Sequence, residues 1–139
     1  MLKYFTKLKV WKASNVSYDP HRELALSYGW WIMVKRINGL LVFNDYAYST
    51  STRAHQRKVR KLLDEMGVTI DLFIQAPKGL QDLDSAEEFY NNRIVDLQNE
   101  IAKPRANKLK NEERYASIVK LRHKLAELST IMPQIGLAA

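Results

Sequence analysis

Between Ser49 and Lys61 the chain reads STSTRAHQRKVRK. Ser49, Thr50, Ser51 and Thr52 form a run of hydroxyls, and Arg53, His55, Arg57, Arg60 and Lys61 follow directly. This combination suits phosphate. A helix start offers unpaired N–H groups and the positive end of the helix dipole, and hydroxyl and guanidinium donors add to them. A plainer reading needs one hydroxyl as a cap and leaves the cations on a solvated face. No glycine-rich phosphate loop or Lys-Ser/Thr pattern accompanies the segment.

A second group of residues pairs charge with rings. In LKYFTKLKVW, residues 2–11, period-two alternation predicts a strand with Lys3, Lys7 and Lys9 on one side. Trp31, Tyr46 and Tyr48 are the rings that a paired hairpin would place on a common face, where bases of a single strand stack. The stretch INGLLVFNDY lacks the basic-Gly-aromatic-Gly-aromatic signature of RNA-recognition sheets. The competing reading buries these rings under the C-terminal helices.

Catalysis and metal binding find little support. His21, His55 and His123 are scattered, without the helical spacing of a metal pair. Ser49 and Ser51 have no base identifiable from sequence. No catalytic residue, metal ligand or cofactor is therefore assigned, and the expectation is a protein that is not an enzyme.

The elements that must position these residues are legible from local signals. WWIMVKRI (30–37) and LLVFNDYAY (40–48) flank Asn38-Gly39, a strong two-residue hairpin signal. It predicts Ile37 opposite Leu40, Val34 opposite Phe43 and Trp31 opposite Tyr46. The expected core face is Trp30, Ile32, Val34, Leu41, Phe43 and Ala47. Asp19-Pro20 predicts a short helix over about 19–28, stopped at Gly29. Val59, Leu62, Leu63 and Met66 recur at helical spacing, so residues 53–66 are expected to be helical, capped by Thr52 or Ser51 and ended by Gly67. His55 falls on the Val59 side, whereas Arg53, Arg57, Arg60 and Lys61 point away. VTIDLFIQ (68–75) reads as a strand. Ser85 to Glu88 forms a capping box before a helix over about 86–103, and a second helix is expected over about 112–131. Tyr90, Ile94, Leu97 and Ile101 form one apolar stripe; Ile118, Leu121, Leu125, Leu128 and Met132 form the other.

The predicted order is a ferredoxin-like βαββαβ, or a small antiparallel sheet plus helix, followed by a C-terminal antiparallel helical hairpin: an α+β protein. Residues 1–79 would form the sheet part with its basic helix. Residues 80–139 would form the hairpin, packed on the same core or used for association.

Composition sets the outer bounds. At 139 residues and 46% hydrophobic the chain can bury a core. The lack of cysteine excludes disulfides and thiolate chemistry. No apolar run is long enough for a membrane span and no signal-peptide core is visible, which points to a cytoplasmic protein with no membrane partner. The net charge of +7 is unevenly spread: 12 basic and 3 acidic residues over 1–61, 2 and 9 over 62–100, and 8 and 3 over 101–139. A basic front attracts polyanions. The leading expectation is therefore non-catalytic binding of a phosphate-rich ligand, nucleic acid above all, without strong sequence specificity. One alternative is a small phage-type inhibitor or adaptor that acts by protein contact on a nucleic-acid or defence machine. Helices 86–103 and 112–131 would then serve a protein partner or self-association. A second is a protein that sequesters a small nucleotide through its phosphate.

Overall fold

The computed structural model describes residues 10–13, 15–105 and 107–132. Most of the strand expected over 2–11, with Lys3, Lys7 and Lys9, lies outside them. The described chain forms β1 (Trp11–Ala13), β2 (Val16–Asp19), β3 (Leu24–Ser27), β4 (Trp31–Ile37), β5 (Leu40–Asn44), α1 (Thr50–Glu65), β6 (Leu72–Ile74), α2 (Leu83–Ile101) and α3 (Lys108–Ser129). The strands form one sheet in sequence order. The first five are an antiparallel meander, and β6 returns through α1 to lie parallel to β5.

This α+β architecture corrects the ferredoxin-like expectation. The segment expected as a helix over 19–28 is a hairpin between β2 and β3. Asp19 caps a turn rather than a helix: its carboxylate accepts from the His21 N–H at 3.0 Å and the Arg22 N–H at 3.4 Å. Aspartate does this readily, and proline beside it favours a turn as much as a first helical residue. Glu23 closes the turn at φ 49° and pairs with Arg36 of β4 at 2.6 Å.

The Asn38-Gly39 hairpin forms as its sequence dictates. Both residues take positive φ, 50° and 80°, and Ile37 faces Leu40 while Val34 faces Phe43. At its other end β4 departs from simple alternation. Ala25 pairs with Val34 and Leu26 with Ile32, so Met33 is the extra residue of a bulge. An inserted residue exchanges the faces of everything before it. Trp31 and Met33 are consequently buried, whereas Trp30, expected in the core, is 51% exposed. Ala47 is exposed as well, and β5 stops before Tyr46, so the expected Trp31–Tyr46 pair does not form.

Both faces of the sheet are covered. On one, Val59, Leu63 and Met66 of α1 and its C-terminal turn pack with Tyr18, Ala25, Val34, Leu41 and Phe43. Leu63 is 1% exposed; Leu62, expected inside, sits only at the margin of this core. On the other face Val42, Leu72 and Ile74 meet Tyr90, Leu128 and Ile131. Helices α2 and α3 run antiparallel, with Glu100 near Arg114 and the Arg93–Leu97 stretch sharing a groove with Ser117–Leu121. Their caps differ from those expected. Asp82 rather than Ser85 caps α2, and Asn107 caps an α3 that starts at Lys108. No helix among the described residues is long and apolar enough to cross a membrane.

Leu63→Ala is expected to cost about 2–5 kcal/mol, as a large-to-small change in a closed core. Leu62→Ala should cost clearly less. Urea unfolding of the two variants checks the order; equal midpoints would place the helix in a different rotation.

Candidate anion-binding cleft

Strand polarity brings the chemistry to one end of the sheet. The carboxyl ends of β3, β5 and β6 lie there, together with the amino end of β4 and the start of α1. The loops leaving β5 and β6 are joined by a buried amide. The Asn44 side chain, fully buried, donates to the Ala76 carbonyl at 2.8 Å. Its oxygen accepts from the N–H groups of Ala76 at 3.0 Å and Tyr46 at 3.1 Å. Gln56 of α1 donates to the carbonyls of Asn44 and Tyr46, both at 2.9 Å. No buried side-chain nitrogen or oxygen is left without a partner among the described residues.

The hydroxyl run is divided by this geometry. Ser49, not Ser51 or Thr52, is the N-cap: its Oγ accepts from the Thr52 N–H at 3.1 Å and donates to Thr52 Oγ1 at 3.0 Å. Thr52 is buried, so two of the four hydroxyls serve the fold, while Thr50 and Ser51 remain exposed. His55 is also withdrawn from any anion site. It is buried, its Nδ1 lies 2.6 Å from Ser27 Oγ, and the Tyr28 ring packs on it at 5.1 Å. Burial, and less so the charge of Lys58, holds its pKa below the ordinary value of 6.5.

Arg53, Arg57 and Arg60 stand four and three residues apart on one stripe of α1 and line a cleft of about 360 Å³ with Phe43, Asp45, Gln56 and Gln75. The Arg60 guanidinium lies over Phe73 at 5.1 Å and Phe43 at 5.9 Å, a cation–π arrangement that orients it. None of the three forms an ion pair with a carboxylate among the described residues. Asp45 is the acidic group of the cleft. Desolvation of its carboxyl raises its pKa, against the lowering charges of Lys124, Arg60 and Arg53. Lys61 does not join the arginines: it lies with Lys58 beside Trp11, toward the β1 edge.

The opposite wall of this region comes from the helical hairpin. Lys124 donates to the edge carbonyl of Phe73 at 2.8 Å, and the Gln75 N–H donates to Tyr90 Oη at 2.7 Å. Burial pushes the Tyr90 hydroxyl up to about 12, so it stays neutral. These contacts cover the outer edge of β6. Gln75 also borders a second groove with Arg93 and Lys120, which extends the basic surface. Gln56, Gln75 and Lys124 were not singled out in the sequence. Lys124 carried a signal, since it sits three residues after Leu121 and four before Leu128 on the inward stripe.

Of the expected stacking rings, Trp31 is 2% exposed and donates its indole N–H to the Pro77 carbonyl at 3.1 Å. Tyr46 is half-buried against Phe89 of α2 at 5.3 Å. Tyr48 alone among them is open, at 58% exposure. No group of three metal-ligating side chains gathers among the described residues.

Removing the Asn44 amide by Asn44→Ala is expected to cost about 1–3 kcal/mol for each buried backbone group left unpaired. Urea unfolding measures this, and an unmoved midpoint would mean that the two loops hold together without it. His55 predicts a pH effect. As pH falls below 6.5 the unfolded chain takes up a proton that the folded chain resists, so stability falls until the lowered folded pKa is reached. The urea midpoint should drop as pH is lowered through 6.5 toward the depressed folded pKa, and His55→Asn should flatten that part of the profile. An identical slope in the variant would assign the effect to another group.

No protein-family model matches the chain, and neither the curated proteins nor the solved structures contain a match.

Proposed function

We propose that the protein binds a phosphate-rich polymer, nucleic acid, without strong sequence specificity and without reacting with it. The observation that carries this reading is the row of Arg53, Arg57 and Arg60 on one cleft wall, without ion pairs to described carboxylates. Asp45 is the acidic group lining this cleft, and three guanidinium groups against it leave a positive potential that attracts polyanions. Thr50 and Ser51 add open hydroxyls at the end of the row, and Lys120 and Arg93 extend the charge across the helical hairpin. Backbone contacts of this kind position a nucleic acid without reading its bases. His55, the one histidine within the basic segment, is spent on Ser27, so the cleft offers binding groups rather than an acid–base pair.

One observation favours a second reading, contact with a protein partner. Helix α3 leaves Leu109, Tyr115 and Val119 exposed at 74%, 58% and 65%. Such apolar side chains on an outer helix face suit a protein surface.

Fluorescence anisotropy with labelled DNA and RNA across a salt series separates the readings. Nucleic-acid binding predicts that log K falls linearly with log salt. Arg53→Ala/Arg57→Ala/Arg60→Ala should fold normally and reduce that slope by about 2, at about 0.7 per lost single-strand phosphate. Absence of binding at low salt, or an unchanged slope in the triple variant, would overturn the reading. A thermal shift with one mononucleotide and no response to long strands would instead indicate a nucleotide site.

A further inference from the structure

We infer that the nucleic acid is single-stranded and that its bases stack on Tyr28, Trp30 and Tyr48. This rests on the nucleic-acid reading and adds the class of strand. Several large rings are closed off: Tyr18, Trp31, Phe43 and Tyr90 are each at most 2% exposed, while Tyr115 on α3 is the other open ring among the described residues, at 58%. Tyr28, Trp30 and Tyr48 are 50%, 51% and 58% exposed.

All three belong to the end of the sheet where α1 and its arginine row begin. Tyr28 and Trp30 sit in the turn between β3 and β4. That turn is fixed to α1 by the Ser27–His55 hydrogen bond and by the Tyr28–His55 ring contact. The Tyr28 N–H also donates to the Asn15 carbonyl at 2.6 Å, and the Trp30 carbonyl accepts from Gln81 at 2.8 Å. Tyr48 immediately precedes the Ser49 cap, its ring 6.4 Å from that of Trp31. The backbone of the turn is thus tied by these hydrogen bonds, while each ring keeps about half of its surface open. The Met33 bulge turns Trp31 inward, and Trp30 stays outside in the turn that precedes β4.

Open rings and a row of cations at one end of a fold are the groups that bind single strands: rings take base faces and cations take the backbone. A duplex engages the cations alone, since its base faces are already stacked on one another. Charge complementarity and ring exposure thus select one occupant, a flexible strand with unpaired bases. The burial of Trp31 and the half-burial of Tyr46 against Phe89 move the stacking rings away from the sheet face and onto the β3–β4 turn and the entry to α1.

The test uses the full chain, a labelled oligonucleotide and its duplex, DNA and RNA, at matched length and salt. Wild type should bind the single strand more tightly. Trp30→Leu and Tyr48→Leu should each weaken single-strand binding about tenfold, leave duplex binding unchanged and leave the salt slope intact. Trp30→Phe should retain most of the affinity, which separates stacking from folding. Intrinsic tryptophan fluorescence should be quenched by the single strand, and the quench should disappear in Trp30→Leu. Equal affinity for both forms, with the leucine variants indistinguishable from wild type, would overturn this inference while leaving the arginine row as a nucleic-acid contact. Failure to bind either form would overturn both.

Discussion

One buried amide, that of Asn44, holds the two loops from which the candidate site is built. It sits where β5 ends, and its side chain satisfies both polar groups of Ala76 just beyond β6. A polar side chain with no solvent contact is stabilising only when every donor and acceptor finds a partner. Here the partners are backbone groups of two separate segments, so satisfying the amide fixes the spacing between them. Gln56 repeats the device from α1, tying the helix to the carbonyls of Asn44 and Tyr46. The entry to α1, the direction of its arginine stripe and the position of Gln75 all follow from these two side chains.

The same end of the molecule solves an edge problem. Strand β6 pairs only with β5, and an open edge invites association. Lys124 and Tyr90 cover it with an ammonium and a neutral hydroxyl. Their use in protecting the edge also brings α2 and α3 alongside the cleft, so that cations from three helices border Gln75. The positive surface is thus partly a by-product of shielding the sheet. The arginines of α1 differ: Arg60 packs on two rings and, with Arg53, acts on Asp45, yet none of the three forms an ion pair among the described residues.

His55 and Ser27 show how a residue with chemical promise is turned to structure. The pair has the distance of a nucleophile and its base, yet both are buried, and burial holds the imidazole neutral. What the pair does is fasten the β3–β4 turn to α1.

Local signals in the sequence were enough for the Asn38-Gly39 hairpin with its register, for the stripe of Arg53, Arg57 and Arg60, and for the apolar seams of the two C-terminal helices. Each depends on turn chemistry or helical periodicity within a few residues, which any chain segment carries with it. Two local signals were ambiguous: Asp19-Pro20 starts a turn or a helix equally well, and several hydroxyls competed for the α1 cap. Only the tertiary structure decided which rings face water. The Met33 bulge turned Trp31 inward, and a bulge depends on the partner strand rather than on the strand's own alternation. It also decided that His55 meets Ser27, that Asn44 meets Ala76 and that Lys124 meets Phe73, contacts that span 28, 32 and 51 residues. Such contacts have no spacing to read in one sequence, because the intervening chain can close over them in many ways and only the packed core selects one.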